Sequence, residues 1–196
     1  MEYENLQWQK IKSGDISVLE IFYKTYFDDF YFYGLKIIPI PDLVKDAIQD
    51  VVIAIWEKRA TLGNIQNLKA YFFTVLRRTL IQTIECDRKT TSQHHFDNDL
   101  FSFSAEDFII DEENAAEIKQ KLKYCLAELS PRQREVIILR FYHTMEFSEM
   151  AEVLQMNVQS VRNLLFRAIG KIRDHIEATT TDTIKVHQEV LNPKKS

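Results

Sequence analysis

Four glycines and four prolines in 196 residues are too few to punctuate a strand-and-turn architecture, which needs a chain break every few residues. Helices need far fewer. A hydrophobic share of 45% with thirteen phenylalanines gives such helices a core to bury. The expectation is an all-α protein, of a length that suits one domain or two small ones.

Apolar spacing places the helices. Residues 14–38 carry Val18, Ile21, Phe22, Tyr26 and Phe30 at intervals of three and four, the mark of one helix face, with Gly34, Pro39 and Pro41 interrupting it. Asp42 stands where an N-cap would open DLVKDAIQDVVIAIWEKR. Its stripe is Leu43, Ala47, Ile48, Val51, Val52, Ile55 and Trp56, with Lys45, Asp46, Gln49, Asp50 and Glu57 on the other side. After a turn at Gly63 and Asn64 comes LKAYFFTVLRRTLIQTIE, with Arg77 and Arg78 in its middle. From Cys86 to about Asp111 periodicity is lost, and helix returns over 112–128. Ser130, Pro131 and Gln133 then spell a capping box before EVIILRFY. The tail from Glu177 onward is threonine-rich and weakly patterned, and is expected to be loosely packed.

Charge is uneven along this chain. Residues 1–84 hold ten basic and ten acidic groups, 85–117 hold two and ten, and 118–196 hold thirteen and nine. The net charge of −4 therefore resides in a middle segment that reads as a linker between two helical domains. Its Phe96, Phe101, Phe103 and Phe108 suit docking on a surface.

Other chemistry is weakly represented. Cys86 and Cys125 have neither metal nor redox spacing, which fits a reducing cytosol, and Cys125 reads as a core residue. His94 and His95 with Cys86 are not a structural zinc set. There is no phosphate-cradling glycine loop and no nucleophile–base arrangement, so neither a cofactor nor an enzyme is expected. The start of the chain lacks the basic and apolar runs of a signal peptide, and no apolar stretch approaches the ~20 residues of a membrane span. A soluble cytoplasmic protein without membrane insertion is expected.

The segment SEMAEVLQMNVQSVRNLLFRA reads as helix, break, helix. Ser148 is the expected cap of the first, whose Met150, Ala151 and Leu154 point inward. Val161, Leu164, Leu165, Ala168 and Ile172 give the second an apolar face. Its opposite face carries Gln159, Ser160, Arg162, Asn163, Phe166, Arg167 and Lys171. Arginines suit guanine edges or phosphates, amides suit adenine, and an apolar group can touch a thymine methyl. A solvated surface helix also turns polar groups outward, but it has little use for a phenylalanine there.

With these residues in view, LSPRQREVIILRFYHTMEFSEMAEVLQMNVQSVRNLLFRAIGKIR resembles the promoter-reading C-terminal domain of bacterial sigma factors, nearest the short extracytoplasmic-function (ECF) type. The matching positions include Leu129, Ser130, Arg134, Val136, Arg140, Glu149, Ala151, Leu154, Val161, Arg162, Arg167 and Ala168. The end domain of response regulators is similar too. DLVKDAIQDVVIAIWEKR, however, resembles the sigma segment that docks on core RNA polymerase, and LKAYFFTVLRRTLIQTIE the helix that melts the minus-ten element.

The resemblance implies a sigma region 2 domain over 1–86, an acidic linker over 87–113, a region 4 helix-turn-helix domain over 114–178 and a tail over 179–196. It implies core-polymerase contacts at Asp46, Gln49, Asp50, Ile53 and Trp56. Minus-ten contacts would come from Arg59, Asn64, Lys69, Arg77 and Arg78, and minus-thirty-five contacts from Arg134 and the outward face of the second hairpin helix. Core RNA polymerase and promoter DNA are the implied partners, with an anti-sigma factor as a third. A sigma mimic that occupies an anti-sigma factor, or a helix-turn-helix regulator independent of core polymerase, are the competing readings.

Two positions depart from the family pattern. Arg78 replaces a common asparagine, and Gln155 replaces the usual turn glycine. A left-handed Gln155 would cost roughly 1–2 kcal/mol, while Asn157 caps the helix that follows.

Overall fold

The computed structural model describes residues 2–90 and 124–191, with side chains over 6–86 and 124–176. Every regular element among them is helical. The acidic linker and most of the helix expected over 112–128 lie outside the described residues, as do His94 and His95.

No periodic stripe announces α1 (Glu2–Lys12), but Trp8 and Ile11 anchor it in the core. The Trp8 Nε1–H donates to the Gly63 carbonyl at 3.0 Å, tying α1 to the loop before α4. α2 (Ile16–Ile37) opens on Asp15, whose carboxylate accepts from the Ser17 N–H at 3.1 Å. Its buried stripe is Leu19, Phe22, Phe30, Tyr33 and Ile37. Ile21, expected on that face, is exposed instead.

Gly34 does not interrupt α2. Its missing side chain lets α3 approach, because a Cβ there would stand 2.5 Å from Val44 Cγ1. α3 (Pro41–Lys58) begins two residues earlier than expected, with Ile40 rather than Asp42 at the N-cap and Pro41 at the first helical position. Asp42 thus sits in the first turn, where it favours the helix dipole rather than capping. Val44, Ala47, Ile48, Val51 and Ile55 form the buried stripe, so Val44 takes the inward place expected of Leu43.

α4 (Leu68–Thr90) is capped by Asn67, whose Oδ1 accepts from the Ala70 N–H at 2.8 Å. Leu68, Phe72, Phe73, Leu76, Leu80 and Ile84 run along its buried side. Phe72 stacks on Phe30 with ring centroids 3.9 Å apart, joining α4 to α2. The helix continues past Cys86, where periodicity fades in the sequence.

The second half begins, in its described part, with a helical stretch at 124–127. α5 (Pro131–Ile137) follows with the expected capping box between Ser130 and Gln133. A widened π turn, Ile138–Tyr142, breaks what the sequence presents as one continuous helix. α6 (Phe147–Leu154) is capped by Glu146 in a reciprocal box with Glu149, not by Ser148. α7 (Val158–Leu191) starts after Asn157, whose Oδ1 accepts from the Ser160 N–H at 2.7 Å. α7 also runs well past Ile176. No glycine or proline stops it before Pro193, and threonine costs a helix only a few tenths of a kcal/mol per residue.

The two halves pack into one continuous core, with α4 lying along α6. At the join, Tyr33 from α2 and Arg77 from α4 meet Glu135 from α5.

Gly34→Ala forces α2 away from Val44, so it should destabilise the fold by about 1–3 kcal/mol in chemical denaturation. A paired Val44→Ala should recover part of that loss.

Candidate nucleic-acid and partner interfaces

The hairpin turn has the backbone that the sequence requires of it. Gln155 is left-handed at φ 53° and ψ 47°, the conformation a glycine would adopt freely. Its N–H and that of Met156 still find the last carbonyls of α6, so the turn is satisfied although strained.

This turn sets the face of α7. Val161, Leu165 and Ala168 are buried, with Leu164 and Ile172 packed at the margin. Arg162, Asn163, Phe166, Arg167 and Lys171 are exposed on the other side, beside Gln159 and a half-buried Ser160. Phe166 is the most exposed large apolar side chain among the described residues, at 78%. Gln159 Nε2 donates to Asn163 Oδ1 at 3.0 Å, and Arg167 Nε to the Asn163 carbonyl at 3.3 Å, which orders this row. Arg162 lies over the Phe147 ring at 5.1 Å, with Arg140 against the same ring at 5.2 Å. Lys171 reaches the Glu128 carbonyl at 3.0 Å. Arg134 is apart from the row: it clips the Leu126 and Ala127 carbonyls at 3.0 and 3.4 Å.

On α3, Asp46, Gln49, Asp50 and Ile53 are all exposed, and their spacing puts them on one face. Ile53, at 54%, is an apolar group in an acidic and amide setting. Trp56 is half-buried, covered by the Arg59 guanidinium at 4.0 Å. Arg59 also donates to the Trp56 carbonyl at 2.7 Å, so it closes the end of α3.

The remaining residues expected around the minus-ten element divide sharply. Arg78 and Asn64 are exposed, and Asn64 accepts from Gln9 at 3.2 Å. Lys69 is turned back onto Asp29 at 2.8 Å and lies over the Tyr26 ring. Arg77 is buried, with Nε 2.7 Å from Glu135 Oε1 and Nη2 3.3 Å from Oε2. The Tyr33 hydroxyl donates to the same Oε1 at 2.7 Å, while Arg132 stands 3.5 Å from Oε2. Burial and the Glu135 charge hold the Tyr33 phenol well above its ordinary range, so it stays a donor.

Further along the seam, Asn67 Nδ2 donates to Glu149 Oε1, whose other oxygen caps α6. A polar cleft of about 220 Å³ lies there, lined by Tyr26, Asn67, Lys69, His143, Thr144 and Glu149 among others. Among the described residues no cluster of His, Cys, Asp and Glu could hold a metal ion. His143 is enclosed by Phe32, Tyr33, Phe73 and Tyr142, with neither ring nitrogen hydrogen-bonded. Asp29 Oδ1 is 3.7 Å from its Nδ1, too far for a direct hydrogen bond, so it acts as a nearby charge. Burial lowers the His143 pKa, and Lys69 adds to this against the pull of Asp29. Asp29 itself resists ionisation by burial, but His143 and Lys69 outweigh that and hold it at about 2.

Comparison with known proteins bears on these surfaces. The family described as sigma-70, region 4, matches residues 119–172, the segment that contains the hairpin. The chain is 27% identical over 154 residues to the RNA polymerase sigma factor SigV of Bacillus subtilis, covering 79% of this chain and 87% of that protein. It is 25% identical over 166 residues to the ECF RNA polymerase sigma factor SigX of the same organism, covering 81% and 83%. Among solved structures, the sigma factor RpoE of Bartonella quintana, crystallised with the anti-sigma factor NepR, superposes with a TM-score of 0.57. That match has 19% identity and covers 81% of this chain and 96% of that one. CnrH in complex with the cytosolic domain of CnrY also gives 0.57, at 18% identity over 89% and 97%.

Every regular element among the described residues is helical, and the second half carries the segment that matches sigma-70, region 4. Over most of its length the chain is similar to RNA polymerase sigma factors, SigX of the extracytoplasmic-function type among them.

A neutral buried His143 ties stability to pH. The folded chain takes up this proton at lower pH than the unfolded chain, whose imidazole titrates near 6.5. This stability is present above that value and is lost as pH falls below it. The melting temperature should therefore drop between about pH 7 and about pH 5, and His143→Phe should flatten that slope.

Proposed function

We propose that this chain binds core RNA polymerase and directs promoter-specific initiation, with its two halves dividing the work. The exposed row Arg162, Asn163, Phe166 and Arg167, within the segment matching region 4, carries the reading. Those side chains supply donors for guanine and adenine edges and an apolar surface for thymine, as a helix in the major groove requires. Gln159, Ser160 and Lys171 extend the row toward the phosphates. Arg134, bound to carbonyls in front of α5, holds the base of the hairpin.

The α3 face of Asp46, Gln49, Asp50 and Ile53, with Trp56 at its end, is the core-polymerase surface in this reading. Its mixed acidic and apolar character suits a basic groove with an apolar pocket. Arg59, Asn64, Lys69, Arg77 and Arg78 border the region that takes up the melted minus-ten strand. An anti-sigma factor is a further partner, in keeping with RpoE, whose structure contains NepR. No helix among the described residues is long and apolar enough to cross a membrane.

Run-off transcription tests the reading. Core polymerase supplied with this protein should start from discrete genomic promoters at which core alone is silent. Core binding without promoter opening would instead indicate a mimic, and failure to bind core would indicate an independent regulator. Within an active holoenzyme, Arg167→Ala should weaken upstream-element binding by about 1–3 kcal/mol. Asp50→Arg should reduce core affinity while leaving the circular-dichroism melt unchanged.

A further inference from the structure

We propose that α1 sets the sequence preference of the loop between α3 and α4. Trp8 and Gln9 are positioning residues, which hold Gly63 and Asn64 in the shape that takes one unpaired base. This rests on the reading of that loop as part of the minus-ten surface.

The loop is tied down at both ends by its own neighbours. The N–H groups of Thr61 and Leu62 both donate to the Lys58 carbonyl at 2.9 Å, and Asn67 caps α4. Ile65, between them in sequence, is buried. The exposed tip, Gly63 and Asn64, is held instead by α1. The Trp8 indole N–H donates to the Gly63 carbonyl at 3.0 Å, and Gln9 Nε2 donates to Asn64 Oδ1 at 3.2 Å. Trp8 is fully buried and α1 packs on α2 and α4, so the tip is held by a fixed neighbour.

Two features of the tip suit a base rather than the fold. Gly63 has no left-handed backbone, and a Cβ there would meet nothing within 4 Å, unlike one at Gly34. The free chain thus has no need of a glycine at this point, whereas a flat ring lying against the peptide does. The Gln9–Asn64 bond is exposed, where water replaces either partner, so stability gains little from it. What it fixes is the direction of the Asn64 amide. With Oδ1 engaged by Gln9, the Nδ2–H donors remain for a base, and they suit an edge that accepts over one that donates.

The test uses core polymerase loaded with the full chain and fluorescein-labelled nontemplate strands of a promoter found by run-off mapping. Each minus-ten position is replaced in turn by the other bases and by an abasic site. The wild-type complex should discriminate between bases at one position by roughly tenfold. Gln9→Ala should bring that ratio to about twofold or less, with affinity for the strand abasic at that position and the melting temperature unchanged. Trp8→Phe, which keeps a buried ring but loses the N–H, should lower the same ratio. Gln9→Glu accepts from Asn64 Nδ2, turns the amide round and should move the preference toward an edge that donates. Gln9→Ala alone decides where Trp8→Phe does not fold. An unchanged ratio in Gln9→Ala overturns the proposal even where the chain initiates transcription. An equal loss of affinity for every strand, the abasic one included, overturns it too, since α1 then only supports the fold. If the chain starts no transcription with core, the functional reading fails first, and this inference with it.

Discussion

A carboxylate taken out of water must be met on all sides, and Glu135 is the group on which the arrangement of this chain depends. Desolvating it costs several kcal/mol, which only good geometry can offset. Arg77 meets both oxygens, Tyr33 adds a hydroxyl, and Arg132 lies at the rim. Each comes from a different helix or position, so satisfying one side chain fixes α2, α4 and α5 relative to one another. The π turn after α5 then carries Tyr142 and His143 against the α2 aromatics, and α6 follows along α4.

Much of this was legible in the sequence, and the reason is locality. Helical periodicity, the Ser130 capping box, the Asn157 cap and the left-handed Gln155 are each decided within a few residues. Small slips have local causes too: Val44 faces inward because Gly34 makes room for it, and Glu146 preempts Ser148 by pairing with Glu149. The Arg77–Glu135 contact was not legible. Its partners are 58 residues apart, and each alone reads as an ordinary charge on an amphipathic helix. The same holds for Lys69, which pairs with Asp29 across forty positions of sequence and so faces inward.

The faces proposed for core polymerase and DNA are therefore in different states. The α3 face and the α7 row are open to solvent and ready for a partner. The α4 face is engaged by the other half of the chain, with Arg78 left outside. The strained turn at Gln155 and the buried His143 both lie in the second half of the chain.

The most direct measurement is the distance across the seam, between spin labels on exposed positions of α4 and α6, in the free chain and on core polymerase. The account predicts one short distance in the free chain, replaced by a long one when core and promoter DNA are bound. A short distance retained in a complex that initiates transcription would contradict it.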